Sequence, residues 1–301
     1  MIARAPGKIV LSGAYAVLEK APAIVTAVDR YVTADAKRPA EIVTPEVRAA
    51  LGDKPAPWFD ASALRSGDKK LGLGSSAAIL VASLAAVRAS EKTFASNDEL
   101  RAAVLEPAIV AHRAAQGGGS GVDVAASVHG GTIIARRTGA TLDVRSVPLP
   151  TDLVIEVFFT GVPSTTSELI GKVRAFKARS PHEYAGVLED LTAAAEDAER
   201  SLDESSASGI IRALAAQLRT LTDLGEHARA KIVTREVARL NDLASEDDAL
   251  VLPAGAGGGD VAIYVGLRPP SERLVAAFAA ERHERLGITL GAEGLSLVAS
   301  A

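Results

Sequence analysis

The sequence contains no cysteine. Disulfides, thiolate chemistry, Fe–S clusters and cysteine-based zinc sites are therefore excluded. Aromatic side chains are scarce, 4% of 301 residues, which argues against a surface that stacks bases along single-stranded nucleic acid. Basic charge is not in excess either: 33 Lys and Arg stand against 37 Asp and Glu, a net charge of −4. No global positive field draws the chain to DNA or RNA. Long apolar runs are also missing. The charge-free run at residues 71–87 begins in a Gly/Ser loop and falls short of the ~20 apolar residues of a membrane span. Residues 1–13, MIARAPGKIVLSG, hold no apolar stretch long enough for a secretory signal. The expected address is cytoplasmic, with neither nucleic acid nor membrane as a partner.

What remains is ordinary globular material, 48% apolar and 23% charged, long enough for one large domain or two modest ones. The first third reads as short β-branched strands at 3–11, 16–18, 23–28 and 31–36, then another at 58–64. Helical spacing runs from Ser76 to Arg88 through Ile79, Leu80, Ser83, Leu84 and Val87. Ser96 with Glu99 forms a capping box for a second helix to about Ala115, which Pro107 is expected to break. Strands follow at 132–136, 141–147 and 153–160. Three helices are expected from 165 to 224, opened by Thr165 with Glu168. Further strands are read at 249–252, 261–265 and 294–297, with a last helix at 272–286 carrying Leu274, Val275 and Phe278 on one face. The class is α+β, with a weak boundary near 150–160 suggesting two lobes.

Three glycine-rich segments can carry chemistry. In Gly72-Leu73-Gly74-Ser75-Ser76-Ala77 the glycines admit close backbone approach, and the serines lead into a helix N-terminus. Such a terminus presents free N–H groups and positive dipole charge to a phosphate, and Lys69 and Lys70 precede it. A purely structural strand-to-helix turn is an equal alternative. The loop lacks G-x-x-x-x-G-K-[ST], and the polar stretch at 90–97 disfavours a dinucleotide βαβ unit. In 117–123, GGGSGVD, the turn can aim Asp123 rigidly from a helix start; an ordinary helix-start Asp is the plainer alternative. In 255–260, GAGGGD, four glycines between two strands exceed what a hairpin needs. That loop is expected to pack its main chain against another ligand-binding loop. Lys8, after Pro6-Gly7, is by itself an ordinary solvated charge.

Together, in this order, APGKIVLSG, GLGSSAA, GSGVD and GAGGGD resemble the motifs of the GHMP kinase superfamily, from residue 3 to about 265. The stretches APGKIVLSGAYAVLE, AHRAAQGGGSGVDVAASVHGG and FFTGVPSTTSELIGKV are most similar to its phosphomevalonate kinase branch. Mevalonate kinases have Gly-Glu-His where this chain has Gly13-Ala14-Tyr15, and a metal-binding Glu where it has His112. The resemblance implies a GHMP kinase two-lobe fold, with an N-terminal ribosomal protein S5 domain 2-like lobe at 1–155. A C-terminal ferredoxin-like lobe, carrying the loop 255–260, is implied at 156–301. It implies ATP and Mg²⁺ as cofactors. Lys70, Gly72, Leu73, Gly74, Ser75, Ser76 and Ala77 are then expected at the nucleotide, with Ser76 on the metal. Lys8 and Asp123 become the expected catalytic pair, and both are also expected at the substrate with Ser120, Gly121, Ser164, Thr165, Lys172, Gly257 and Gly258. Arg136 and Arg137 are further candidates for screening charge between two polyanions.

The implied reaction is ATP-dependent phosphorylation of 5-phosphomevalonate to mevalonate 5-diphosphate, in the mevalonate route to isoprenoids. A kinase acting on mevalonate or another small alcohol, and a non-catalytic ligand-binding member of the fold, stay open. The partner is a small phosphorylated or hydroxy-acid acceptor, and the oligomeric state, monomer or homodimer, is open.

Overall fold

The computed structural model describes residues 1–139, 141–164 and 166–298. The chain divides into two compact units, each discontinuous in sequence. The first is Met1–Ile9, Val25–Ser146 and Ile288–Ala301; the second is Val10–Ile24 and Val147–Gly287. The units thus differ from two contiguous segments meeting at 155/156. The cause lies partly in the closing strand, which pairs with the first and returns the C-terminus to the first unit.

The first unit is built on β1 (Ile2–Ser12), which crosses the unit boundary, and the long β2 (Pro22–Pro39). Next come α1 (Pro45–Leu51), β3 (Pro57–Asp60) and a small hairpin of β4 (Arg65–Ser66) and β5 (Lys69–Lys70). Then follow α2 (Ser75–Glu91), α3 (Asn97–Gln116), α4 (Val122–His129), β6 (Thr132–Thr138) and β7 (Thr141–Ser146). The second unit holds β8 (Val154–Phe159), α5 (Thr166–Arg179), α6 (Pro181–Asp203), α7 (Ala207–Ala228) and α8 (Arg235–Ser245). It continues with β9 (Leu250–Pro253), β10 (Val261–Gly266), α9 (Glu272–Ala280) and β11 (Glu284–Leu286). β12 (Ser296–Val298) belongs to the first unit and pairs antiparallel with β1, Ile2 opposite Val298.

The large sheet has the order β12-β1-β2-β6-β7, with β3 on β2; that of the second unit is β11-β8-β10-β9. α2 is buried almost all round, from Ala77 to Ala86, as its uniformly apolar sequence requires. In the second unit Phe158 and Phe278 stack at 3.6 Å within a core that includes Leu240, Val251 and Tyr264.

Several sequence expectations change, each for a local reason. The strands at 23–28 and 31–36 are one strand, β2. Asp29-Arg30 reads as a turn, but Asp29 is held in extended form by Thr289: its N–H donates to the Thr289 carbonyl, and its Oδ1 accepts from the Thr289 N–H at 2.8 Å. Residues 16–18 form a 3-10 turn rather than a strand, bracketed by Tyr15 and Lys20 at positive φ. The strand expected at 58–64 ends at Asp60, whose Oδ1 accepts from Ser62 N–H and starts a 3-10 turn.

Pro107 does not break α3. A proline leaves the carbonyl four residues earlier without its helical donor; here that carbonyl, on Ala103, accepts from Arg88 Nη1 at 2.6 Å. The last helix ends at Ala280 instead of 286. Arg282, at φ 59, and His283 close a Schellman turn, with His283 N–H donating to Phe278 and Arg282 N–H to Ala279. Because an Arg stands where a glycine is usual, sequence offered no stop signal. Val275 lies off the buried Leu274/Phe278 stripe and is 41% exposed. α1 and the β4–β5 hairpin were not foreseen.

Candidate active site

In the first unit, three chain segments converge on one lysine. Lys8 lies on β1, where its N–H donates to the Leu73 carbonyl at 2.9 Å. That bond ties the strand to the glycine loop. The aliphatic stem of Lys8 crosses Gly74: a Cβ there would lie 2.8 Å from Lys8 Cε and 2.9 Å from Cγ. Gly74 also sits at φ 75, in the left-handed region. Both facts demand glycine at this position. The ammonium end of Lys8 meets Asp123 Oδ2 at 3.3 Å, with side-chain exposures of 11% and 31%.

Gly74 is the N-cap of α2, and no side chain caps it. The first ladder bond runs from Ala78 N–H to the Gly74 carbonyl, leaving the N–H groups of Ser75, Ser76 and Ala77 outside the helix's own bonding. Elsewhere the hydroxyls of Thr44, Ser96, Ser206, Thr234 and Ser271 accept from the first turns of their helices. An uncapped helix start with half-buried serines is the arrangement that receives an oxyanion. Leu73 and Ala77 are buried; they support the loop and offer only main chain. Lys69 and Lys70 form the exposed hairpin strand β5 just before it.

Asp123 projects from the first turn of α4, whose N-cap is Gly121 at φ 86. The Ser120 hydroxyl accepts from Val122 N–H at 3.4 Å. Arg113, on α3, clamps the loop from behind, donating to the carbonyls of Gly119 (3.2 Å) and Ser120 (2.8 Å). Ser120 and Gly121 thus orient α4, and Arg113 is a loop holder that spacing alone did not single out. Arg136 and Arg137 lie half-buried on β6.

Beside Ser76 is a second group of polar side chains. The His112 ring is buried, and its Nε2 lies 3.5 Å from Ser76 Oγ and 3.1 Å from Gln116 Nε2. Gln116 Nε2 also reaches Ser76 Oγ at 3.4 Å and Glu46 Oε1 at 3.3 Å. Burial pushes the His112 pKa below the ordinary imidazole value, against the pull of Asp123 and Glu46 and with that of Lys8. Glu46 is also buried, rare for a carboxylate. Its position at the start of an unforeseen short helix hid it from sequence reading.

The fit of these groups to Mg²⁺ follows from the donor set. An ion carried by a nucleotide takes most of its ligands from phosphates and water and one or two from protein. Among the described residues no three His, Asp or Glu gather as a metal cage. The Ser76 hydroxyl, at the uncapped helix start, suits a nucleotide-borne ion.

In the second unit the loop 255–260 packs against its neighbours. Ser164 Oγ donates to the Gly257 carbonyl at 2.6 Å, and Ser164 N–H donates to Asp260 Oδ1 at 3.1 Å. Cβ atoms at 257 and 259 would fall 2.2 Å from the Ile232 carbonyl and 2.4 Å from that of Val162. The Tyr15 hydroxyl donates to the Ala256 carbonyl at 2.7 Å, and burial raises the Tyr15 pKa strongly. Ser164, Gly257 and Gly258 are therefore one packed assembly. Lys172 forms an exposed one-turn pair with Glu168 at 2.7 Å. Thr165 lies outside the described residues. A residue missed by sequence, the buried Gln217, accepts from Ser12 Oγ and Gly13 N–H and donates to the Leu11 carbonyl.

An uncapped helix start and a lysine bridging it to a carboxylate thus stand in a mixed α+β frame. Residues 53–131 match the family model described as GHMP kinases N terminal domain, and the fold is that of GHMP kinase structures. Over these residues and in its fold the chain is similar to GHMP-type phosphotransferases.

Two curated relatives are more particular. The phosphomevalonate kinase of Streptomyces sp. strain CL190 is 29% identical, with 87% of this chain and 89% of that one covered. The mevalonate kinase of Archaeoglobus fulgidus is 25% identical, covering 91% and 96%. Among solved structures, Streptococcus pneumoniae phosphomevalonate kinase in complex with phosphomevalonate and AMPPNP superposes with a TM-score of 0.75. That match has 18% identity and covers 96% of this chain and 100% of that one. Among the described residues no helix is long and apolar enough to cross a membrane.

Proposed function

We propose that this chain transfers the γ-phosphoryl group of ATP to the phosphate of 5-phosphomevalonate, giving mevalonate 5-diphosphate and ADP. The observation that carries the reading is the Lys8–Asp123 pair at 3.3 Å, its stem laid across the loop that opens α2. The N–H groups at the start of α2, with Ser75 and Ser76, hold the triphosphate. The Ser76 hydroxyl would hold a Mg²⁺ ion carried by the nucleotide, which would supply charge neutralisation between the phosphates.

An acceptor oxygen forms the new bond to the γ-phosphorus while the bond to the bridging oxygen breaks and its electrons leave with ADP. A phosphate monoester has a second pKa of about 6, so the acceptor is already largely ionised at neutral pH. No strong base is required. A carboxylate already engaged by an ammonium suits that case: Asp123 holds Lys8 in place, and Lys8 offsets charge on acceptor and transferred group. In phosphoryl transfer positioning and electrostatics supply most of the acceleration. Lys8 and the N–H groups of the loop reduce repulsion between two polyanions that a chain of net charge −4 cannot screen globally.

Similarity to a mevalonate kinase supports a second reading, in which an alcohol is the acceptor and Asp123 takes its proton. Tyr15 and His112, standing where mevalonate kinases have His and Glu, favour the phosphate acceptor. A coupled ADP-release assay over 5-phosphomevalonate, mevalonate and a short panel of other alcohols decides between them. The expected result is a kcat/KM at least ~100-fold higher for 5-phosphomevalonate, the order of one buried charge contact. A preference for mevalonate reverses the assignment; nucleotide binding without turnover on any acceptor makes the chain a binding protein. The ATP site, Mg²⁺ and a cytoplasmic setting for this reaction belong to the same proposal.

A further inference from the structure

Asp123 has a short side chain, so the place of its carboxylate is set by where α4 lies against β1. One turn further along the same helix is a second contact to that strand. Ser127 is fully buried, and its hydroxyl donates to the Pro6 carbonyl at 2.8 Å. Asp123 and Ser127 are four residues apart on α4, a rise of about 6 Å. Their partners Lys8 and Pro6 are two residues apart on β1, a rise of about 6.7 Å. The two steps match, so helix and strand, running in opposite directions, make both contacts in one register. A slip of one helical residue moves α4 by ~1.5 Å and turns it by about 100°, which breaks both.

Packing alone does not call for a hydroxyl at this position. Ala125 and Ala126, beside it, fill buried positions without one. A serine inside a helix commonly returns its proton to the carbonyl four residues earlier. Ser127 turns instead to the neighbouring strand, just beyond the point where pairing of β1 with β12 ends at Arg4. There it gives a buried main-chain carbonyl its donor.

We propose that Ser127 is a positioning residue: its bond to Pro6 sets the register of α4 on β1, and with it the approach of Asp123 to Lys8. Arg113 holds the loop ahead of α4; Ser127 holds the helix itself to the strand that carries the lysine. The inference deepens the kinase reading and rests on it for the catalytic consequence, but the register does not depend on that reading.

Two measurements test it. In crystal structures of Ser127→Ala and the wild type, the Lys8–Asp123 separation should be longer in the variant by about 0.5 Å or more, the tolerance within which a catalytic group must be held. An unchanged separation overturns the proposal, whether or not the chain proves to be a kinase. Turnover of Ser127→Ala should fall about 10- to 30-fold, while its Kd for a non-hydrolysable ATP analogue stays within ~2-fold of the wild type. A hydroxyl that served stability alone would leave turnover of the folded protein unchanged, and that result also overturns the proposal. In an Asp123→Asn background the same substitution should lower turnover by less than ~2-fold. Equal losses in both backgrounds show that Ser127 does not act through Asp123. Ser127→Cys, close in size and a much weaker donor, repeats these readings without a void, and wild-type turnover in it counts against the proposal. A wild type that turns over no acceptor refutes the kinase reading instead, and the separation then decides the register by itself.

Discussion

Two glycine loops that look alike in sequence do opposite work. The loop at 72–76 uses Gly74 to let the Lys8 stem lie across it and then opens onto a helix start that no side chain caps. The loop at 255–260 uses its glycines to bring main chain against main chain, at Ile232 and Val162, with Ser164 and Tyr15 bonded to its carbonyls. In the first case glycine keeps hydrogen-bonding groups available. In the second it allows them to be satisfied internally. Glycine density alone therefore marks close approach; what approaches has to be read from the next element, helix or strand.

Three variants sharpen or break that contrast, the largest effect first. Lys8→Met keeps the stem over Gly74 and removes the charge. Turnover should fall by about 10²–10³-fold, the usual loss for one preorganised electrostatic group, while the urea midpoint shifts little because Asp123 keeps access to water. An unchanged turnover number would remove the lysine from the chemistry. Gly257→Ala should destabilise the protein by ~2–4 kcal/mol, because its Cβ meets the Ile232 carbonyl and the backbone is left-handed at φ 77. Urea unfolding reads this directly, and a loss under ~0.5 kcal/mol would show the loop to be loosely packed. Gly74→Ala must displace the Lys8 side chain, a flexible neighbour, so a smaller stability loss of ~1–2 kcal/mol is expected. Its affinity for nucleotide should fall in greater proportion than in Gly257→Ala. If both variants lose stability and affinity alike, the contrast fails.

What could be read from sequence follows the same division. Local chemistry marked Gly74, a glycine at a strand-to-helix turn, but by itself left Lys8 a solvated charge and Asp123 an ordinary helix-start residue; only the order of the motifs along the chain singled those two out. Glu46 was not legible, since its helix is seven residues long and its burial depends on α3, far along the chain. The continuity of α3 through Pro107 was hidden for a similar reason. The donor that satisfies the orphaned Ala103 carbonyl is Arg88, 15 residues earlier on another helix. The end of α9 was missed because an arginine occupies the left-handed position. The grouping of 10–24 with the second unit rests in part on contacts such as Gln217 with Leu11, Ser12 and Gly13, which leave no trace in periodicity.

The most direct test separates holding the nucleotide from reacting it. Asp123→Asn should bind a non-hydrolysable ATP analogue with a Kd within about 2-fold of the wild type, while turnover on the preferred acceptor falls at least ~100-fold. Wild-type turnover in that variant, or a lost nucleotide site in a protein that remains folded, would contradict a phosphate-binding helix start working beside a separate carboxylate–lysine pair.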